Sequence, residues 1–141
     1  MAIRIIEPPE LGKPVELYSH GVIASGRELV VVSGQIGMDA AGRLAGDTIG
    51  PQTRQAFANI ALVLAAAGCA MSDLIRLQVF LIRPEDIEGF LVARRGLFPG
   101  WFPSGTYPPA SLLVVSRLLK PQFLVEIEAM AVRPDGPSSR L

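Results

Sequence analysis

A chain of 141 residues with a formal charge of zero, thirteen bases against thirteen acids, is sized for a single domain. Half of it is hydrophobic, enough for a core, and no basic stripe is visible, which argues against nucleic acid as a partner. The apolar runs are too short to span a membrane and no long apolar leader opens the chain; a single cysteine, Cys69, excludes an intramolecular disulfide and fits a reducing cytoplasm.

In chain order, IRII (3–6) reads as a first strand and the proline-broken stretch 7–21 as loop. VIAS (22–25) and ELVVVS (28–33) flank Gly26-Arg27 and are expected to pair as a hairpin. The glycine-rich MDAAGRLAGDTIG (38–50) is connection. PQTRQAFANIALVLAAAG (51–68) is the clearest helix: Pro51 suits the first turn, Phe57, Ile60, Ala61 and Leu64 form one stripe, and Gly68 supplies a stop. SDLIRLQVFLI (72–82) is rich in strand formers. A second helix starts near Pro84, carries Ile87, Phe90, Leu91, Arg94 and Leu97 or Phe98 in register, and ends before Pro99-Gly100. ASLLVVSRL (110–118) and FLVEIEAMAV (123–132) are strands, with LKPQ as the expected hairpin link. RPDGPSSRL (133–141) has the composition of a flexible tail, which leaves 1–132 as the domain.

Six strands with two interposed helices make an α+β fold, a mixed sheet crossed by the helices on one face. Ile75, Leu77, Val79 and Leu81 form an apolar row suited to the helices. The opposite row, Leu74, Arg76, Gln78, Phe80 and Ile82, is too apolar for water and too polar for a dry core. Leu124, Glu126, Glu128, Met130 and Val132 repeat that mixture on the last strand. Such a face is expected to meet other subunits, against the alternative of a monomer with one solvated face.

One histidine, His20, and one cysteine cannot build a zinc site, and SGQIG (33–37) has neither nucleophile-elbow nor phosphate-loop spacing, so no metal or cofactor is expected. Cys69, directly after Gly68, reads as a small buried residue rather than a partner for His20. Glu126 and Glu128 share one strand face among apolar neighbours. A carboxylate desolvated there is suited to acid–base work, while pairing with a base such as Arg76 is the structural alternative.

ELVVVSGQIGMDAAGRL, PQTRQAFANIALVLAAAG, SDLIRLQVFL and VSRL followed by VEIEAMAV, in that order from about Tyr18 to Val132, resemble the Rid (YjgF) family, also labelled endoribonuclease L-PSP. The resemblance implies a chorismate-mutase-like α+β fold, assembled as a homotrimer with the sheets facing inward and three ligand clefts between subunits. It implies hydrolysis of reactive enamines and imines to keto acids and ammonia. A strand glutamate places the water, an arginine forks the substrate carboxylate, and a tyrosine with the serine–glycine backbone completes the pocket.

On this chain the water-bearing glutamate falls on Glu126, the tyrosine on Tyr18 and the serine–glycine pair on Ser33 and Gly34. The arginine is absent. Anchored on VSRL, the family's Pro-Ala-Arg-Ser run reads Pro108-Pro109-Ala110-Ser111, the arginine position is Ala110, and Leu112 stands where the family often has cysteine. A family asparagine and tyrosine align with Leu91 and Arg94. Arg94 or Arg95 reaching the cleft would restore the charge, against the alternative that both are solvated helix residues. Trp101 either lines the cleft or packs on the subunit surface.

Two readings follow. One is a divergent Rid-type deaminase for a small-molecule imine or enamine, with poor use of ordinary 2-imino acids. The other is a non-catalytic trimer that binds a small metabolite or regulates a partner. Ribonuclease activity has little support in a neutral chain with a lone histidine.

Overall fold

The computed structural model describes residues 3–133. The strands are β1 (Ile3–Ile6), β2 (Gly21–Ala24), β3 (Glu28–Ile36), β4 (Leu74–Leu81), β5 (Ala110–Val114) and β6 (Val125–Arg133); the helices are α1 (Ile49–Ala66) and α2 (Ile87–Trp101). The α+β class with two helices and a mixed sheet is present. The six strands do not form one continuous sheet, however: β3, β6, β4 and β5 lie side by side in that order, and β1 with β2 form a separate two-stranded ribbon.

Both expected hairpins are absent. β2 pairs antiparallel with β1, not with β3. Gly26 and Arg27 run instead along the end of β6, where Arg27 N–H donates to the Arg133 carbonyl at 3.1 Å and a side chain at Gly26 would overlap Val132. β5 lies parallel to β4, reached through α2, while β6 inserts antiparallel between β3 and β4. The central position of β6 gives its backbone a partner on each side, which a terminal β5–β6 hairpin would not. Arg133 completes β6, and the rest of the expected tail, 134–141, lies outside the described residues.

The core fills the space between the helices and one sheet face: Phe57, Ile60 and Leu64 of α1 and Phe90 and Phe98 of α2 meet Leu77, Val79, Leu81, Ile127 and Ala129. The apolar row of β4 differs from expectation at one end. A register irregularity between Leu74 and Arg76 turns Leu74 into the core and leaves Ile75 half-buried. α1 starts at Ile49, two residues before the expected start at Pro51, and stops where Gly68 adopts φ +76°, with Cys69 N–H returning to the Leu64 carbonyl at 2.8 Å. α2 continues through Pro99 rather than ending before it. Pro99 sits in the last turn on the exposed side, where its missing N–H is easily tolerated, and the continuation carries Trp101 onto Phe57, which Phe98 also meets.

Polar side chains of α1 tie the sheet ends together. Buried Gln52 donates to the carbonyls of Gly46 and Gln122, at 2.9 and 3.1 Å, and accepts from Leu124 N–H at 2.9 Å. Asn59, held by Gln55, donates to the carbonyls of Ile36 and Met38. The exit of β3 and the approach to β6 are thereby fixed to one helix. These two strands carry the site.

Candidate functional site

β3 pairs Val32 with Ala129 and Gln35 with Ile127, so Ser33 and Gly34 together oppose the single residue Glu128. This bulge brings the Gly34 backbone against Glu126, where any side chain at position 34 would overlap the glutamate's Cγ, Cδ and Oε2. Glu126 is half-buried between its cross-strand neighbours, Ile36 on β3 and Phe80 on β4. No hydrogen bond or ion pair engages its carboxylate among the described residues. Among the described residues Arg76 pairs with neither glutamate; its Nη2 donates to Gln78 Oε1 at 2.7 Å. Exposed Glu128 shares a shallow hollow of about 200 Å³ on the uncovered sheet face with Ser33, Arg76, Gln78 and Met130. That face also carries Leu29 and Val31, 56% and 67% exposed, the half-apolar surface the strand pattern predicts.

The other predicted residues gather at the start of β5. Ser19 N–H donates to the Pro108 carbonyl at 3.4 Å, while the Pro109 carbonyl accepts from Leu77 N–H at 2.9 Å, so the Tyr18 segment runs beside the double proline. Tyr18 meets His20 edge-on, ring centroids 6.1 Å apart, and lines a hollow of about 240 Å³ with Lys13, Glu16, Ser19, His20 and Tyr107. Ala110 is half-buried opposite Leu77 and brings no charge. Ser111 is exposed opposite Gln78, whose Nε2 donates to its carbonyl at 3.3 Å. Leu112 packs toward the core opposite Val79.

Arg94 and Arg95 part company. Arg95 is exposed and binds both oxygens of Glu16, at 3.2 and 2.6 Å, and also Glu88. Arg94 corrects the expectation of a solvated residue: it is 5% exposed, and its guanidinium lies 5.5 and 5.7 Å from the Phe90 and Phe98 ring centroids. Burial pushes its pKa below the ordinary arginine value, opposed by the negative charge of Glu16. Trp101 packs on Phe57 and Phe98 in an aromatic cluster with Tyr107 and is not among the residues lining the two hollows.

Within one chain the structure thus joins Gly34 to Glu126 and, separately, Tyr18 to the Glu16–Arg94 neighbourhood. Glu16 was missed by sequence reasoning, since a glutamate in a proline-broken loop carries no spacing signal. Cys69 is buried in the core, where burial and then Asp73 push its thiol pKa up, and His20 instead contacts the Gly12 carbonyl at 2.7 Å. Among the described residues no three histidine, cysteine or carboxylate side chains are grouped to hold a metal, and no helix is long and apolar enough to cross a membrane.

The endoribonuclease L-PSP family profile matches residues 10–133. A RutC family protein of Synechocystis is 30% identical over 136 residues, covering 95% of this chain and 99% of its own. The goat 2-iminobutanoate/2-iminopropanoate deaminase is 32% identical, covering 95% and 91%. Among solved structures, a Rid family protein of Yersinia pestis superposes with a TM-score of 0.82 at 27% identity, covering 94% of this chain and 99% of that one. Escherichia coli TdcF, solved with bound serine, gives 0.68 at 30% identity, covering 92% and 98%. The bulged Ser33–Gly34 strand against Glu126 therefore sits in a chain that belongs to the endoribonuclease L-PSP, or YjgF/Rid, family.

Proposed function

We propose that this chain is a cytoplasmic hydrolytic deaminase of a reactive imine or enamine, working in clefts between the subunits of a homotrimer. The observation that carries the reading is Glu126, half-buried beside the Gly34 backbone with its carboxylate unengaged. A water held there is activated as its proton passes to the carboxylate and its oxygen bonds to the C=N carbon. The nitrogen takes up a proton, the C–N bond of the resulting carbinolamine breaks, and ammonia leaves a carbonyl product. Tyr18 and the Ser33–Gly34 backbone orient the substrate. The half-apolar open sheet face supports burial against further copies, which would close the clefts.

Ala110 narrows the substrate. A lost charge-assisted fork lowers affinity by roughly a hundredfold, and a short 2-imino acid has few other atoms to compensate. The favoured substrates are larger or hold their charge elsewhere. The same alanine favours a second reading, a trimer that binds a metabolite without turning it over. The deciding experiment follows ammonia release from a panel of imines with wild type and Glu126→Gln, with sedimentation giving the assembly. Equal rates in the two proteins would remove Glu126 from the chemistry, and a monomer would remove the clefts.

A further inference from the structure

Arg94 is a buried cation without adequate company. Its Nε is buried and meets no hydrogen-bond acceptor, and the nearest carboxylate, Glu16 Oε1, stands 3.8 Å from Nη2, beyond hydrogen-bonding distance. Both Glu16 oxygens are already bound by Arg95. Aromatic faces on Phe90 and Phe98 stabilise the charge but accept no hydrogen bonds in the guanidinium plane. A buried guanidinium nitrogen left so poorly satisfied is completed by an ordered water, an ion or a ligand group.

The surroundings indicate what that ligand is. Glu16 separates Arg94 from the hollow of about 240 Å³ whose wall includes Tyr18, Ser19, Tyr107 and Lys13, with Glu7 as its other acid. Ser19 is 4% exposed, and its Oγ also lacks a partner. One residue with a buried unpartnered donor, Ser19, thus lines the hollow and a second, Arg94, stands behind Glu16, with two phenol rings in the same wall. Glu16 presents a carboxylate where a ligand's carboxylate would go, and Arg95 can retain Glu16 if it is displaced.

We propose that Arg94 anchors a small organic carboxylate that enters the Tyr18–Tyr107 hollow and takes the place Glu16 holds beside the guanidinium. Its connection to turnover rests on the deaminase reading, which it deepens by setting the anion site on α2 rather than on β5; the binding itself needs no chemistry at Glu126. The anion is then held away from the Ala110 position, so the ligand need not be a short 2-imino acid.

The test is calorimetric titration with benzoate and with benzamide, its neutral isostere. Wild type is expected to prefer benzoate by roughly tenfold or more, the span of a charge-assisted hydrogen bond. Arg94→Met abolishes that preference, Arg94→Lys keeps part of it, and Glu16→Gln tightens benzoate severalfold by removing the competing carboxylate. Equal binding of the two probes, no binding of either, or a preference that survives Arg94→Met overturns the proposal. If Arg94→Met does not fold, the Glu16→Gln arm decides, because unchanged benzoate affinity there is equally fatal. A benzoate preference that depends on Arg94, found together with equal imine hydrolysis by wild type and Glu126→Gln, would uphold the anion site and sink only the hydrolytic reading.

Discussion

Gly34 and Glu126 are in such close contact that the glutamate's resting place exists only because residue 34 has no side chain. The bulge that opposes Ser33 and Gly34 to Glu128 creates this approach, and the α1 amide contacts of Gln52 and Asn59 hold the two strands in that register. Gly34→Ala is expected to push the carboxylate aside by rotating a flexible side chain, leaving the melting temperature nearly unchanged. Imine hydrolysis then falls by about tenfold to a hundredfold, the usual effect of misplacing a reacting group by an ångström. Turnover and thermal melting measured together check this: an alanine variant with wild-type turnover would mean that Glu126 needs no fixed position.

Ala110 opens β5 opposite Leu77, half-buried against the core edge. Ala110→Arg is expected to raise kcat/KM for 2-iminobutanoate by about tenfold or more, chiefly through KM, since a guanidinium fork adds ground-state binding. Ala110→Leu, similar in bulk without charge, is the control and is expected to give no gain. Parallel gains in both variants would attribute the effect to packing.

Local signals in the sequence carried much of this fold and misled most about strand pairing. The apolar stripes of α1 and α2 and the alternating rows of β4 and β6 were legible because burial imposes periods of 3.6 and 2 residues on them. The two hairpins were inferred from short turn-like links, yet β6 pairs with β3 from Glu28↔Arg133 onward, a contact between distant parts of the chain that turn chemistry cannot report. Gly26-Arg27 passes close to β6 and only resembles a hairpin loop. At the site, Glu126, Ser33 and Gly34 were found through motif likeness, while the bulge that unites them is a register property invisible in residue types. Arg94 did leave a trace: it occupies an apolar-stripe position of α2 with Phe90 and Phe98, and that position was evidence of burial. Its partner Glu16 left none.

Gln52 is the side chain whose loss would loosen the scaffold most directly. Its amide bridges the Gly46 and Gln122 carbonyls and accepts from Leu124 N–H just before β6 begins. Gln52→Ala strands a buried N–H and opens a small cavity, so a loss of roughly 2–4 kcal/mol is expected. Urea unfolding checks it, with the midpoint falling at unchanged slope. A loss below about 0.5 kcal/mol, within the range of ordinary surface changes, would show that solvent replaces all three bonds.

Glu16 links the loop before Tyr18 to α2, and hydrogen bonding from Arg95, assisted by the charges of Arg95 and Arg94, holds its carboxyl below the usual value despite partial burial. Because the folded form binds its proton less readily than the unfolded one, the contribution to stability is complete above the ordinary pKa of 4.5 and fades as pH falls through the lowered folded value. Glu16→Gln removes this dependence. The stability gap between wild type and variant is therefore expected to narrow as pH drops from about 6 to about 3, a window that spans the carboxylate titration. Asp39, also lowered by backbone hydrogen bonds from Arg43 and Ala41, is common to both proteins and cancels in the comparison. Denaturation midpoints across that series decide the point: a gap that stays constant would mean that Glu16 stabilises through packing and not through its charge.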